Sequence, residues 1–372
     1  MEVGLPATAL KTLELRWRRA LLAAGHRPFA GQIAVTAEDL LHLPAAPRIL
    51  LIRLERIGDV LVSVPVLRSL RERYPQGSID LLVSPANRAV GDAVAPFVSR
   101  VLCYEKTLKS AVGLLRSLRR TRYDVVVDLI DHPSATSQIV LRWCGAGAAV
   151  GLLHAESGLY THASPALSRA AVHPVERLAQ LLLPFGIDPA AQSLDLAFPL
   201  EAKDIEAARL TLGPPRRPLR AGVNLSARAP GKYWGRDNYI AFIRHLTAND
   251  PRFAVSVCGA PGDAAEVQYV AGATGAQAVP ARSSLREFAA ILHEFDLLLT
   301  PDTAVVHLAA AWKLPTVALY RSDPAVTPWL PYNTPHKAVA DPKGIPAIPL
   351  DQVITAAEDL IRERFGARPP VS

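Results

Sequence analysis

Cysteine is scarce and scattered: Cys103, Cys144 and Cys258 are the three in the chain, an odd number at spacings that match no zinc site. They read as small buried hydrophobes of a reducing compartment, which excludes a disulfide scaffold. No run reaches the ~18 uninterrupted apolar residues that a membrane span requires. Lys11, Glu14, Arg16, Arg18 and Arg19 interrupt the N-terminal apolar stretches, so no signal peptide is expected there. An Asp-x-Asp pair, a His/Cys ligand set and a Gly-x-x-x-x-Gly-Lys-Ser/Thr loop are all missing. A metal-bound diphosphate and a P-loop are thereby disfavoured. Basic residues exceed acidic ones by 41 to 34, for a net charge of +7. Dense basic runs interleaved with aromatics are absent, which argues against nucleic acid and leaves an acidic substrate or a membrane surface as the partner of that charge. The expectation is a cytoplasmic protein.

What is present organises itself into two halves. A chain of 372 residues is long for one core, and two domains are expected. Apolar runs at Ile49–Leu54, Ile79–Val83, Tyr123–Ile130 and Ala148–Leu152 alternate with helix-length segments such as Leu61–Tyr74 and Leu108–Arg120. Short apolar strands alternating with amphipathic helices imply a parallel sheet covered on both faces. A helical stretch around His173–Phe185 and a loop-like Gly186–Pro199 follow. The rhythm then restarts with strands at Leu219–Leu225, Phe253–Cys258, Leu297–Thr300 and Thr316–Tyr320. Helices are expected between them at Arg236–Ala248, Gly262–Ala273, Leu285–Glu294 and Val305–Lys313. The Gly- and Pro-rich run Leu212–Pro218 carries the strongest hinge signal. The expected architecture is α/β with two doubly wound Rossmann-like domains, at residues 48–199 and 200–350. A helical extension, 1–47, precedes them, and a C-terminal helix and tail, 351–372, follow. In the extension, Leu10, Leu13, Trp17, Leu21 and Ala24 share one helical face. Such a helix either docks on the protein's own surface or lies against an anionic bilayer as a peripheral contact.

Four segments carry candidate chemistry. Arg53-Leu-Glu-Arg-Ile-Gly-Asp59 directly follows the first strand of the first domain. Ligand crevices of open parallel sheets lie at the carboxyl ends of strands, where this loop falls. Gly58 permits a tight turn there. Asp59 either caps the next helix or accepts a proton from an attacking hydroxyl. Thr300-Pro-Asp-Thr-Ala-Val-Val-His307 is again strand, short loop and helix. Asp302 or Thr303 is a natural N-cap, and the helix opened there offers backbone N–H groups and a positive dipole end to a phosphate. Thr303 and His307 are four apart and share one side of the first turn; His307 is otherwise read as a core histidine. Asn224-Leu-Ser226-Ala-Arg-Ala-Pro-Gly-Lys232-Tyr-Trp234 follows the first strand of the second domain. Its Pro230-Gly231 turn can swing Lys232 over a diphosphate. The turn Cys258-Gly259-Ala-Pro-Gly-Asp263 suits close approach of backbone to a nucleotide.

Together these segments resemble the ADP-heptose:lipopolysaccharide heptosyltransferases, glycosyltransferase family 9. The resemblance runs in order over residues 48–335. Its best pieces are Ile49-Leu-Leu-Ile-Arg53 with Ile57-Gly-Asp-Val60, then Lys232-Tyr-Trp234, then Pro301-Asp-Thr303 with His307-Leu-Ala-Ala-Ala311. It implies a GT-B fold, with the acceptor on the N-terminal domain and an ADP-sugar on the C-terminal one. It also implies an inverting displacement without a metal or cofactor. Asp59 then is the general base, Lys232 contacts the donor phosphates, and Asp302, Thr303 and Ala304 cradle the diphosphate and sugar.

The remaining expected donor contacts are His307, Ser226 and Gly259. On the acceptor side stand Gly58, Arg53, Arg56 and Arg120, the last within the cluster Arg116, Arg119, Arg120 and Arg122. The chain departs from the family at three points. Asp-Thr-Gly becomes Asp302-Thr303-Ala304, Asn-Pro-Gly-Ala becomes Asn224-Leu225-Ser226-Ala227, and Lys-x-Trp-Pro becomes Lys232-Tyr233-Trp234-Gly235. The expected activity is transfer of heptose or a related sugar from an ADP-sugar to a hydroxyl of an anionic, lipopolysaccharide-core-type glycolipid or saccharide. Its alternatives are the same scaffold with another nucleotide sugar and a protein or natural-product acceptor, or a sugar-nucleotide-binding protein without turnover.

Overall fold

The computed structural model describes residues 33–34, 40–105, 107–132, 134–153, 159–227, 229–282, 284–322 and 329–366. The helix expected over Leu10–Ala24 lies outside them. The chain divides into two compact units, Met1–Ser168 with Pro174–Leu194, and Arg169–His173 with Asp195–Ser372. Each is an α/β unit built on a wholly parallel sheet.

The first sheet contains β1 (Ile33–Ala34), β2 (Arg48–Ile52), β3 (Ser78–Val83), β4 (Arg100–Cys103), β5 (Val125–Asp128), β6 (Ala148–Leu152) and β7 (His162–Ser164), in the order β1-β7-β6-β5-β2-β3-β4. The inner strands carry fully buried runs such as Ile49–Ile52 and Val125–Val127. Strands covered on both faces need continuous apolar sequence, and these have it. A short α1 (Ile57–Leu61) precedes the helix expected at Leu61–Tyr74, which is α2 (Val64–Arg73), with Pro65 in its first turn. Proline fits an opening turn but not a helix interior, and the start of α2 falls accordingly. Next come α3 (Gly91–Val94), α4 (Leu108–Thr121), α5 (Ala135–Trp143) and α6 (Pro174–Ala179). A 3-10 segment, Gln180–Phe185, extends α6. Thr107 and Ser134 cap α4 and α5 through their hydroxyls.

The second sheet has the order β10-β9-β8-β11-β12-β13. Its strands are β8 (Leu219–Asn224), β9 (Phe253–Cys258), β10 (Gln277–Ala278), β11 (Leu297–Pro301), β12 (Thr316–Arg321) and β13 (His336–Asp341). The helices are α7 (Ala202–Leu212), α8 (Arg236–Asn249), α9 (Ala264–Thr274), α10 (Leu285–His293), α11 (Ala304–Ala311) and α12 (Leu350–Phe365). Leu212–Pro218 connects α7 to β8 inside this unit, so the hinge expected there does not join the two units; the chain passes between them at Ser168–Arg169, His173–Pro174 and Leu194–Asp195. Helix α12 belongs to this unit as well, since Val353, Ala357, Leu360 and Ile361 enter its core.

Both sheets reverse strand order once. In the first, β2 lies between β5 and β3; in the second, β8 lies between β11 and β9. Connections leave such a pair in opposite directions, so a crevice opens at the carboxyl ends of the strands. The two reversal points are therefore β2/β5 and β8/β11. The segments with candidate chemistry begin there.

Candidate active site

In the first unit the β2–α1 loop is held from below by Arg53. This side chain is 1% exposed. Its Nε donates to the backbone oxygen of Asp59 at 3.0 Å, and an Nη donates to the oxygen of Leu129 beyond β5. The same guanidinium faces Glu55 at 2.9 Å and the Asp59 carboxylate at 3.7 Å. The acceptor contact expected of Arg53 is thus corrected: its donors face inward and brace the loop. Asn87 fixes the loop from another side, donating to the Arg53 oxygen at 2.8 Å.

Asp59 is the third residue of α1 and 8% exposed. One carboxylate oxygen accepts the Arg56 backbone N–H at 2.7 Å, so the residue does cap its helix. The other oxygen faces Arg53. Burial raises the Asp59 pKa above its ordinary value, opposed by Arg53 and assisted by Glu55. Capping occupies one oxygen and leaves base chemistry open to the other. Gly58 sits within α1 and shows no left-handed backbone, so the tight turn expected of it is not what the residue provides. Arg56 is exposed at the head of α1.

Sequence reasoning missed what β5 contributes. His132 meets the Glu55 carboxylate at 2.6 Å, and Arg177 of α6 meets Asp131 at 2.5 Å. Asp128, at the end of β5, is enclosed by Ser137 and by Tyr160 at 3.0 Å, and burial pushes its pKa up to about 6. Only the lateral pairing of β2 with β5 brings these groups together. By contrast, Arg120 lies on the last turn of α4. The neighbouring Thr121 oxygen accepts from Arg48, the first residue of β2, at 2.8 Å. That end of α4 is the amino edge of the sheet, opposite Asp59, so Arg120 and its cluster do not join this site.

In the second unit the loops after β8 and β11 are tied together. Asn224 and Thr300, both fully buried, share a hydrogen bond of 2.9 Å. Lys232 Nζ donates to the Asp302 backbone oxygen at 2.9 Å and to its carboxylate. Trp234 anchors the segment: it is 0% exposed, and its indole N–H donates to the Ile348 oxygen at 2.9 Å. Gly235 follows at φ +106°, a conformation closed to the proline that the resembling family places there.

Thr303 caps α11, its hydroxyl accepting from Val305 N at 3.4 Å. Ala304 is the first helical residue and is not in the left-handed region. The methyl that replaces the family's glycine therefore brings no backbone strain. The Ser226 hydroxyl accepts the Ala260 N–H at 2.8 Å, linking the loops after β8 and β9. A Cβ on Gly259 would meet Asp263 at 2.9 Å, so this glycine is required by the packing of the following turn itself. His307 points inward from α11 at 4% exposure, its ring 5.8 Å from that of Trp329. Among the described residues its Nδ1 has no partner, and burial, with His173 nearby, lowers its pKa to about 3. Ser226, Lys232, Asp302, Thr303 and Ala304 thus gather at the β8/β11 reversal, above an inward-facing His307.

The chain is similar to several known proteins. Lipopolysaccharide heptosyltransferase 3 of Escherichia coli K12 is 24% identical over 345 residues, covering 82% of this chain and 96% of that one. A solved glycosyl transferase family 9 protein from Veillonella parvula aligns with a TM-score of 0.72 at 21% identity, covering 85% of this chain and 97% of its own. The E. coli heptosyltransferase WaaC, solved with ADP-2-deoxy-2-fluoro heptose, aligns at 0.66 and 19% identity, with 85% and 99% coverage. These two likenesses establish the GT-B fold. Residues 112–344, more than half of the chain, match the family described as glycosyltransferase family 9 (heptosyltransferase). By that match the chain belongs to glycosyltransferase family 9 and is a glycosyltransferase.

Proposed function

We propose that the protein transfers heptose, or a related sugar, from an ADP-sugar to a hydroxyl of an anionic lipopolysaccharide-core-type acceptor, with inversion and without a metal. The observation that carries this reading is Lys232, held at the opening of α11 beside Thr303. An ammonium and a helix N-terminus together offer a departing diphosphate the positive charge that a metal supplies in other transferases. Asp59 takes the proton of the acceptor hydroxyl as its oxygen attacks the anomeric carbon. The glycosidic bond to the diphosphate breaks, and its electron pair leaves with the nucleotide. A carboxylate made more basic by burial suits that step. The donor assignment draws on the ADP-sugar analogue named with the solved E. coli relative. Ser226, Asp302, Ala304, His307 and Gly259 complete the donor side, and Arg56 with Gly58 borders the acceptor.

A donor panel tests the proposal. Purified protein is offered ADP-heptose, UDP-sugars and GDP-sugars with a deacylated lipopolysaccharide core, and product linkage is read by NMR. Transfer from ADP-heptose with inverted anomeric configuration supports it. Turnover confined to another nucleotide sugar, or binding without turnover of any donor, overturns it.

A further inference from the structure

Glu55 stands between Arg53 and Asp59 in sequence and shares the same guanidinium in space. Arg53 lies 2.9 Å from the Glu55 carboxylate and 3.7 Å from that of Asp59. Glu55 does not swing freely, because its other oxygen meets His132 Nε2 at 2.6 Å. His132 comes from the loop after β5, the strand beside β2 at the reversal point. We propose that Glu55, oriented by His132, is a positioning residue that divides the charge of Arg53 between two carboxylates and so sets the basicity of Asp59. The inference rests on the role proposed for Asp59 and adds a residue to it.

The charged groups around this trio are few. Arg53, Glu55 and Arg56 face Asp59 electrostatically. Asp128, below them, also senses Arg53, while Asp131 is paired with Arg177. Arg53 is buried and fixed by the backbone oxygens of Asp59 and Leu129. It therefore cannot withdraw from Asp59. Its attraction would make that carboxylate a weaker base, and a second anion on the same guanidinium offsets the effect. Burial then prevails, and the Asp59 pKa stays above its ordinary value. Glu55 is itself only one quarter exposed, so water screens this coupling incompletely. His132 acts one step further away, holding the Glu55 carboxylate against Arg53 where solvent would otherwise draw it out.

The test is a titration of the Asp59 carboxyl carbon by NMR, assigned by its loss in Asp59→Asn. The parent, Glu55→Gln and His132→Ala are compared, with the pH profile of kcat/KM measured alongside. Glu55→Gln keeps the shape and removes the charge. The Asp59 midpoint should fall by about one pH unit, the order expected when one nearby like charge is lost. His132→Ala should move it in the same direction by less, and the acid limb of kcat/KM should follow in both variants. An unmoved midpoint in a folded Glu55→Gln protein overturns the inference. Should that variant unfold, Glu55→Asp and His132→Ala carry the same titration, and an unmoved midpoint in both overturns it. A midpoint that moves while Asp59→Asn still transfers sugar at the parental rate supports the coupling of the two carboxylates and overturns the role of Asp59 as base.

Discussion

Lys232 and Asp302 are bound to each other across the reversal point of the second sheet, the ammonium donating both to the Asp302 backbone oxygen at 2.9 Å and to its carboxylate. Both side chains remain about one third exposed, so the pair contributes little to stability by itself. Its consequence is positional. A lysine on a turn after β8 is delivered to the opening of α11, after β11, at the positive end of that helix's dipole. Two weak sequence features, a Pro-Gly turn and an Asp-Thr dipeptide, are joined only through the adjacency of β8 and β11.

Replacing Asp59 by asparagine is expected to leave ADP affinity within about twofold. Transfer should fall by roughly two to four orders of magnitude, the range for loss of a general base. The amide cannot take the hydroxyl proton, yet it can still accept the Arg56 N–H, so α1 keeps its cap. Stopped assays at saturating donor, beside calorimetric titration of ADP, separate the two effects. Near-parental turnover would reduce Asp59 to its capping role.

Transfer should also persist in excess chelator and change little on addition of magnesium. In the proposed mechanism Lys232 and the α11 N-terminus take up the charge of the leaving diphosphate, the task a metal performs elsewhere. Abolition of activity by chelator, with rescue by a divalent ion, would overturn the proposed mechanism.

His307 makes the second unit sensitive to acid. Burial holds its pKa near 3, against about 6.5 in an unfolded chain. The folded state therefore resists a proton that the unfolded state accepts. The stability this confers is complete above about pH 6.5 and is lost as pH falls toward 3, at most by about 1.4 kcal/mol per unit. Asp128, with its pKa pushed up to about 6, works the other way: its contribution is present below about pH 3.8 and fades as pH rises through 6. Comparing the parent with His307→Leu isolates the histidine. Between pH 7 and pH 5 the variant should gain about 2 kcal/mol relative to the parent in urea unfolding. Parallel losses in the two proteins would show that His307 is protonated without penalty.

The parts of the fold legible in sequence are those where one periodicity dominates. β2, β5, β9 and β11 are almost uninterrupted apolar runs, and each was expected within a few residues of its place. β13, with Val339 as its single buried residue, has no such run, and β10 has two residues. Neither is an amphipathic signal; both exist because a neighbouring strand offers hydrogen bonds. The helix Ala135–Trp143 was missed for a related reason: Ser134 caps it clearly, but its nine residues are too few for a firm period. In each unit taken by itself, the candidate residues (Asp59 in the first, Lys232 and Thr303 in the second) stand at strand-to-helix junctions that sequence locates. Glu55, His132 and Arg177 are connected only by which strands lie side by side, and one sequence does not state strand order.

The donor's diphosphate offers the most direct test of the second unit. Lys232→Ala should weaken ADP and ADP-sugar binding, because a charge-assisted contact worth ~1.5–3 kcal/mol is lost. The loss should shrink as salt rises, since a lysine one third exposed is already screened in that regime. Thr303→Val keeps the shape at the head of α11 and removes the hydroxyl that caps Val305 N. It should weaken the same ligands while leaving acceptor affinity untouched. Adenosine has no phosphates, so both variants should bind it as the parent does. Isothermal titration of ADP and adenosine against the three proteins decides between the outcomes. A selective loss of ADP places the phosphates at Lys232 and Thr303. Equal loss of both ligands would mean that the substitutions disturb the fold of the loop after β8 or the head of α11, and the donor would have to be sought elsewhere.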